Sequence, residues 1–263
     1  MSDELAKSSL DSKLGDVLRR YTRARVGLGQ AGPAVPTREQ LIFQLDHALA
    51  RDAVHARLDV SALLQGLRQR KLKCIALRSA VSGGSVQDER QIYLRRPDLG
   101  RSLHADSAEA LRQLAENKKP DVVFVIADGL SSLAAERHAL ALLDALMGEL
   151  DGNKWNIGPV CVVSQGRVAI GDEIGHLLSA KLVVMMIGER PGLSSPDSLG
   201  VYLTWAPRMG RSDAERNCIS NIRADGLSYE DAARRIVFYM NGARQLQCTG
   251  VALKENSALL LPD

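Results

Sequence analysis

Val122-Val123-Phe124-Val125-Ile126-Ala127 is an unbroken apolar run with no polar residue on either alternate set of positions. A strand of this kind has to be covered on both faces. That is the condition of a central strand in a parallel sheet, whereas an antiparallel sheet commonly leaves one face in water. Residues 131–150 follow with Leu133, His138, Leu142, Ala145 and Leu146 at intervals that suit one face of a helix. Val160-Cys161-Val162-Val163 and residues 181–187 repeat the buried-strand pattern. A short helix is expected over 172–180 and a further strand over 200–205. A last helix is expected over 228–244, with Tyr229, Ala232, Ile236, Val237 and Met240 on one side. Buried strands separated by helices predict an α/β chain with a Rossmann-like, doubly wound, mostly parallel sheet and flanking helices.

Upstream of about residue 72 the pattern is helical only. Leu10, Leu14, Val17, Leu18 and Tyr21 are spaced by three or four, so a helix is expected over 10–25. The segment Gly27-Leu28-Gly29-Gln30-Ala31-Gly32-Pro33 breaks it. Thr37 with Gln40 three residues on is a capping-box pattern, which predicts a helix start there with Leu41, Leu45, Ala48 and Leu49 facing its core. Residues 54–72 continue the helical spacing through Leu63, Leu64 and Leu67. The chain is therefore expected to divide into a small all-helical N-terminal part, residues 1–71, and an α/β part, residues 72–263, with a weakly patterned and flexible tail from residue 249.

Composition narrows the function classes. The formal charge of +3 is too small to argue for nucleic acid, and the basic runs at Arg19–Arg20, Lys71–Lys73 and Arg95–Arg96 read as solvated faces. No apolar run approaches the ~20 residues that span a bilayer, and the first residues mix acids, Lys and Ser, so neither a membrane span nor a secretory leader is expected. Cys74, Cys161, Cys218 and Cys248 are widely spaced with no C-x-x-C pair, which argues against a zinc site and for a cytosolic protein with reduced thiols.

In an open α/β sheet, ligands bind outside the carboxyl ends of the strands. That rule selects Asp128-Gly129-Leu130, Ser164-Gln165-Gly166-Arg167-Val168 and Gly188-Glu189-Arg190-Pro191-Gly192-Leu193, each directly after an expected strand. Glycine at such corners lets the backbone approach a ligand, although any one of them could be a plain turn. Arg216-Asn217-Cys218-Ile219-Ser220-Asn221-Ile222 lies before the last helix and should be near the same edge. Cys218 by itself reads as a small hydrophobe. No G-x-G-x-x-G follows an expected strand, and G-x-x-x-x-G-K-[ST], H-E-x-x-H and G-x-S-x-G are missing, which weakens dinucleotide, triphosphate, metalloprotease and α/β-hydrolase readings. The histidines are scattered, and His47 with His55 would share a helix only if one helix ran through both. No pair of carboxylates suggests acid–base chemistry.

Several of these strings together resemble the light chain of ethanolamine ammonia-lyase. They are Arg25-Val26-Gly27-Leu28-Gly29-Gln30-Ala31-Gly32, Tyr93-Leu94-Arg95-Arg96-Pro97-Asp98-Leu99-Gly100-Arg101, Gly188-Glu189-Arg190-Pro191-Gly192-Leu193 and Cys218-Ile219-Ser220-Asn221-Ile222. Asp128-Gly129-Leu130-Ser131 and Gly166-Arg167-Val168 fit in the same order, so the likeness runs from about residue 14 to about residue 244. The resemblance implies a small subunit with a helical N-terminal part and a Rossmann-like part. It implies a larger catalytic partner, a TIM barrel that grips the substrate, with adenosylcobalamin (coenzyme B12) between the two. The reaction implied is radical conversion of ethanolamine to acetaldehyde and ammonia.

Carried over motif by motif, the cofactor-binding positions are Val168, Glu189 and Cys218. No catalytic residue and no metal ligand is expected on this chain. The D-x-H-x-x-G motif that gives a histidine to cobalt is missing, so the cofactor is expected to keep its own benzimidazole as lower ligand. The resemblance leaves open whether the assembly sits free in the cytosol or inside a bacterial microcompartment. Two other readings stay open on the residues alone. One is a self-sufficient α/β enzyme acting on a small or phosphorylated substrate, which turnover by this chain alone would favour. The other is a non-catalytic scaffold or shell-associated binding protein.

Overall fold

The computed structural model describes residues 15, 17–22, 24–83, 85–115, 119–150 and 155–254. The tail expected to be flexible from residue 249 instead packs against the fold as far as it is described: Gly250–Ala252 form a 3-10 turn, Leu253 is buried, and the Asn217 side chain donates to the Gly250 and Leu253 carbonyls at 3.3 and 2.7 Å. Residues beyond 254 lie outside the described residues, and so does most of the first half of the helix expected over 10–25. In chain order the elements are α1 (Thr37–His55), α2 (Val60–Gln69), β1 (Cys74–Arg78), α3 (Val86–Arg95), a short 3-10 turn (Leu99–Arg101) and α4 (Ala105–Ala115). They continue with β2 (Val122–Ala127), α5 (Ser132–Glu149), β3 (Val160–Ser164), α6 (Ile170–Leu177), β4 (Leu182–Gly188), β5 (Leu199–Trp205), β6 (Asn217–Ile222) and α7 (Tyr229–Leu246).

The six strands form one sheet in the order β1-β3-β2-β4-β5-β6. β1, β3, β2 and β4 run parallel, while β5 is antiparallel to both β4 and β6. Every residue of β2 and β4 is buried, as their unbroken apolar runs require. Alternate residues feed two cores. Phe124, Val162, Val184 and Val201 join α2, α5 and α7 on one face. Val125, Val163, Val183 and Met185 join α4 and α6 on the other. The result is three layers. α5 and α7 begin where serine caps allow: Ser131 accepts from the Ala134 amide at 3.3 Å and Ser228 from the Asp231 amide at 3.1 Å.

The structure refines two local readings and overturns a third. Residues 54–72 do not make one helix: α1 ends at His55 and α2 starts after Asp59, whose carboxylate caps it by accepting from the Ala62 amide at 2.9 Å. Residues 217–222 are a strand, which polar alternation on a half-open sheet disguised. Leu41, Leu45 and Leu49 do not face a core, being 58%, 59% and 47% exposed. Helical spacing gathers side chains on a stripe, but it does not provide the surface that covers them.

The described residues up to Asp52 group with Gly192–Ser195 as one compact unit, and Ala53–Pro191 groups with the described part of Pro196–Asp263 as the other. Within the first unit Arg25 pairs with Asp46 at 2.5 Å and lies over the Phe43 ring at 4.6 Å.

Candidate functional site

The carboxyl ends of β3, β2 and β4 and the end of β6 lie on one edge, because Gly188 is opposite Leu199 and Leu199 is opposite Ile222. The expected corners therefore meet. The Gly129–Gly188 junction is especially close: the Leu130 amide donates to the Gly188 carbonyl at 3.0 Å, and a Cβ on Gly188 would lie 1.9 Å from the Ser131 carbonyl oxygen. Only glycine permits that approach, and it places Glu189 directly beyond the β2 corner.

Glu189 is half-buried and accepts from three directions. The Ser198 hydroxyl donates at 2.5 Å, the Ser220 hydroxyl donates to the other carboxylate oxygen, and the Asn221 amide donates at 3.3 Å. Ser198 precedes β5, and Ser220 and Asn221 are on β6, so the carboxylate bridges the ends of two strands. Its side chain lies across Gly200, where a Cβ would come within 2.9 Å of the Glu189 Oε1. Asn221 has φ +63° at a register shift between β5 and β6. This bulge turns both Ser220 and Asn221 toward Glu189, in the way bulges re-aim side chains at sheet edges.

Cys218 is exposed and sits opposite Tyr202 in the β5–β6 ladder. The Tyr202 hydroxyl and the Cys218 thiol interact, and Tyr202 packs against the α4–α6 core. Cys218 and Ser220 therefore belong to the same sheet face as that core, but they lie beyond its covered part. Surrounding protein pushes the Cys218 thiol up, aided by the Glu189 charge, which works against a thiolate nucleophile. Cys161 is fully buried and its thiol is pushed up to about 12.

Val168 is half-buried and packs against the same α4–α6 core, just ahead of α6. The structure thus brings Glu189 and Cys218 into one patch and puts Val168 on the same side of the sheet, at the corner after β3.

Residues outside the expected set hold these corners. Tyr93 is wholly buried, and its hydroxyl donates to the Gly129 carbonyl at 2.9 Å and lies 2.8 Å from the Gly166 carbonyl. The Arg90 and Arg167 guanidiniums lie over its ring at 4.9 and 4.3 Å. The Arg167 amide donates to the Gly100 carbonyl at 2.7 Å. Tyr93-Leu94-Arg95-Arg96-Pro97-Asp98-Leu99-Gly100-Arg101 therefore supports the Gly166-Arg167-Val168 corner. Asp128 pairs with Arg90 at 2.9 Å and accepts from the Gly166 amide at 3.0 Å, so one buried carboxylate ties β2, β3 and α3 together. Arg90 and Tyr93 lie three residues apart in α3, and the residues around them in the chain carry no signal of these long-range bonds. Among the described residues no group of three His, Cys, Asp or Glu is placed to hold a metal ion. Among them, too, no helix is long and apolar enough to cross a membrane.

A family model described as ethanolamine ammonia-lyase light chain matches residues 13–254. The chain belongs to that family. It is 52% identical over 242 residues to the ethanolamine ammonia-lyase small subunit of Pseudomonas fluorescens (strain Pf0-1), covering 91% of this chain and 86% of that one. It is 50% identical to the small subunit of Azotobacter vinelandii (strain DJ / ATCC BAA-1303), covering 91% and 87%. It is 49% identical to that of Xanthomonas campestris pv. campestris (strain ATCC 33913 / DSM 3586 / NCPPB 528 / LMG 568 / P 25), again covering 91% and 87%. The Gly129–Gly188 junction and the Glu189 bridge are thus features of an ethanolamine ammonia-lyase light chain.

Proposed function

We propose that this chain is the small subunit of an adenosylcobalamin-dependent ethanolamine ammonia-lyase, and that the face carrying Val168, Glu189 and Cys218 holds the corrinoid against the large catalytic subunit. The observation that carries the reading is the Glu189 bridge over Gly200. It presents a carboxylate, two serine hydroxyls and a small cysteine around Gly200, a strand position that carries no side chain. A corrin rim carries amide donors and a broad apolar surface, and this donor and acceptor set suits both. Glu189 accepts hydrogen bonds, Cys218 permits close approach, and Val168 offers an apolar contact.

Bound there, adenosylcobalamin supplies the radical chemistry that converts ethanolamine to acetaldehyde and ammonia. The chain itself positions and shields. Asp128, Arg90 and Tyr93 hold the corners rigid, and the bulge at Asn221 keeps Glu189 aimed. The substrate-gripping residues belong to the partner, a TIM barrel, and the assembly works in the cytosol, free or within a bacterial microcompartment.

Co-expression with the large subunit, purification through a tag on this chain and absorbance of the bound corrinoid test the reading. The expected result is a large partner, corrinoid retained only with both chains, and ammonia release that needs both. Ammonia release by this chain alone, or corrinoid retention indifferent to it, would overturn the reading.

A further inference from the structure

The Glu189 face lies at the β4–β6 end of the sheet, but the topology opens a second place. From β2 the chain crosses through α5 on one face, and from β3 it crosses through α6 on the other. The carboxyl ends of β2 and β3 are adjacent, so the two crossovers diverge there. This is the switch point at which open α/β sheets form their ligand crevice. The structure has a cavity there of 200 Å³, with Asp128, Ser164 and Gln165 in its wall, and a neighbouring one of 300 Å³ lined by His55, Arg57, Arg90 and Gln91. Arg57 lines both.

Three features of this crevice point to an anion. Arg90 is 2% exposed, and its Nη2 has no hydrogen-bond partner among the described residues. Its Nε and Nη1 are occupied, by the Val54 carbonyl at 2.8 Å and by Asp128 at 2.9 Å. A buried guanidinium nitrogen without an acceptor costs free energy that a bound oxyanion would recover. Arg57 reaches the same space and makes no ion pair among the described residues. Gln165 adopts φ +59°, a left-handed conformation that costs a non-glycine residue energy and recurs at ligand sites. Asp128 is already engaged by Arg90 and the Gly166 amide, and Glu89 is the remaining acid in the wall.

We propose that the 300 Å³ cavity lined by both Arg57 and Arg90, beside the carboxyl ends of β2 and β3, is a second binding site, for a phosphate-class anion held by those two arginines. A fork of guanidinium nitrogens matches the oxygens of a phosphate or phosphate ester, and two arginines converging on a cavity of this size leave space for a tetrahedral oxyanion. The anion comes either from the phosphodiester of a corrinoid's nucleotide tail or from a separate phosphorylated molecule. The site itself does not depend on where the corrin ring binds.

The test titrates the full chain with inorganic phosphate at constant ionic strength, with chloride as the control, following melting temperature and the phosphorus NMR line. A phosphate-specific stabilisation is expected, weakened about tenfold or more in Kd by Arg57→Ala and less by Arg57→Lys. Arg57 is exposed, so these variants should keep the wild-type melting temperature in chloride. Repeating the titration on the two-subunit complex separates the sources. Competition by cyanocobalamin but not by cobinamide, which lacks the phosphate, assigns the site to the nucleotide tail. Competition by neither assigns it to a separate molecule. Absence of phosphate-specific binding, or binding that Arg57→Ala and Arg57→Glu leave unchanged, would overturn the proposal. The first titration contains no corrinoid, so its failure leaves the reading of the Glu189 face intact.

Discussion

Arg216 grips Asp172 with both terminal nitrogens at 2.7 Å, and the two side chains are only 1% and 2% exposed. The pair joins the residue that precedes β6 to the first turn of α6. The same two nitrogens also donate to the Thr204 hydroxyl and the Arg211 carbonyl at 2.9 and 3.0 Å, and the Nε donates to Asp213 at 3.4 Å. α6, which Val168 precedes by two residues, and the start of β6, which carries Cys218, are thereby bolted to each other.

Removing one partner of this pair should be expensive, because it strands a buried charge. Asp172→Ala or Arg216→Ala is expected to lower unfolding free energy by about 3–5 kcal/mol. The double variant should cost less than the sum of the singles. A urea double-mutant cycle measures this, and additive losses would show that the pair is not coupled.

Glu189→Ala leaves the Ser198 and Ser220 hydroxyls without their acceptor. We expect corrinoid retention by the two-subunit complex to weaken by about 1–3 kcal/mol, read as a rise in Kd. Glu189→Gln, which keeps an acceptor, should lose less. Unchanged corrinoid affinity in Glu189→Ala would remove this carboxylate from the site.

Burial pushes the Asp128 carboxyl up from 3.8 to about 6, against the pull of Arg90 and the Gly166 amide. A raised acid binds its proton more tightly in the folded state than in the unfolded one. Its contribution therefore favours the fold at low pH and is lost as pH rises from 3.8 to about 6. Compared with Asp128→Asn, the wild-type chain should show an added fall in stability across that window. Parallel stability–pH curves for the two proteins would contradict the shift.

A methyl group added at Gly188 would meet the backbone oxygens of Ser131 and Asp128 at 1.9 and 2.5 Å, and neither can swing aside as a side chain would. Gly188→Ala should destabilise by about 1–3 kcal/mol or more. Gly148, inside α5, meets nothing within 4 Å, and Gly148→Ala should stabilise by about 0.5–1 kcal/mol. Urea midpoints that move in opposite directions check both at once.

The central fold was readable wherever burial was symmetric. Val122–Ala127 is a strand with the expected bounds, and α5, β3, β4 and α7 fall within two residues of their expected ends. A strand covered on both faces writes its burial as an uninterrupted apolar run, and a helix packed on one side writes a period near 3.6. β6 left no such mark. Its pattern of buried Asn217, Ile219 and Ile222 with exposed Cys218, Ser220 and Asn221 includes a bulge, which breaks the period of two.

The amino-acid sequence alone determined the α/β class, the corner segments at the strand ends and, through their motifs, the family. These depend on local periodicity and on residue strings that are close in the chain. Tertiary structure decided what the corners do. Glu189 finds Ser220 across 31 positions, Arg90 finds Asp128 across 38 and Arg216 finds Asp172 across 44. Such bonds exist only once the sheet order and register are set, because the partners are brought together by strand pairing and not by spacing along the chain. For the same reason the stripe of Leu41, Leu45 and Leu49 was legible as apolar while its exposure was not.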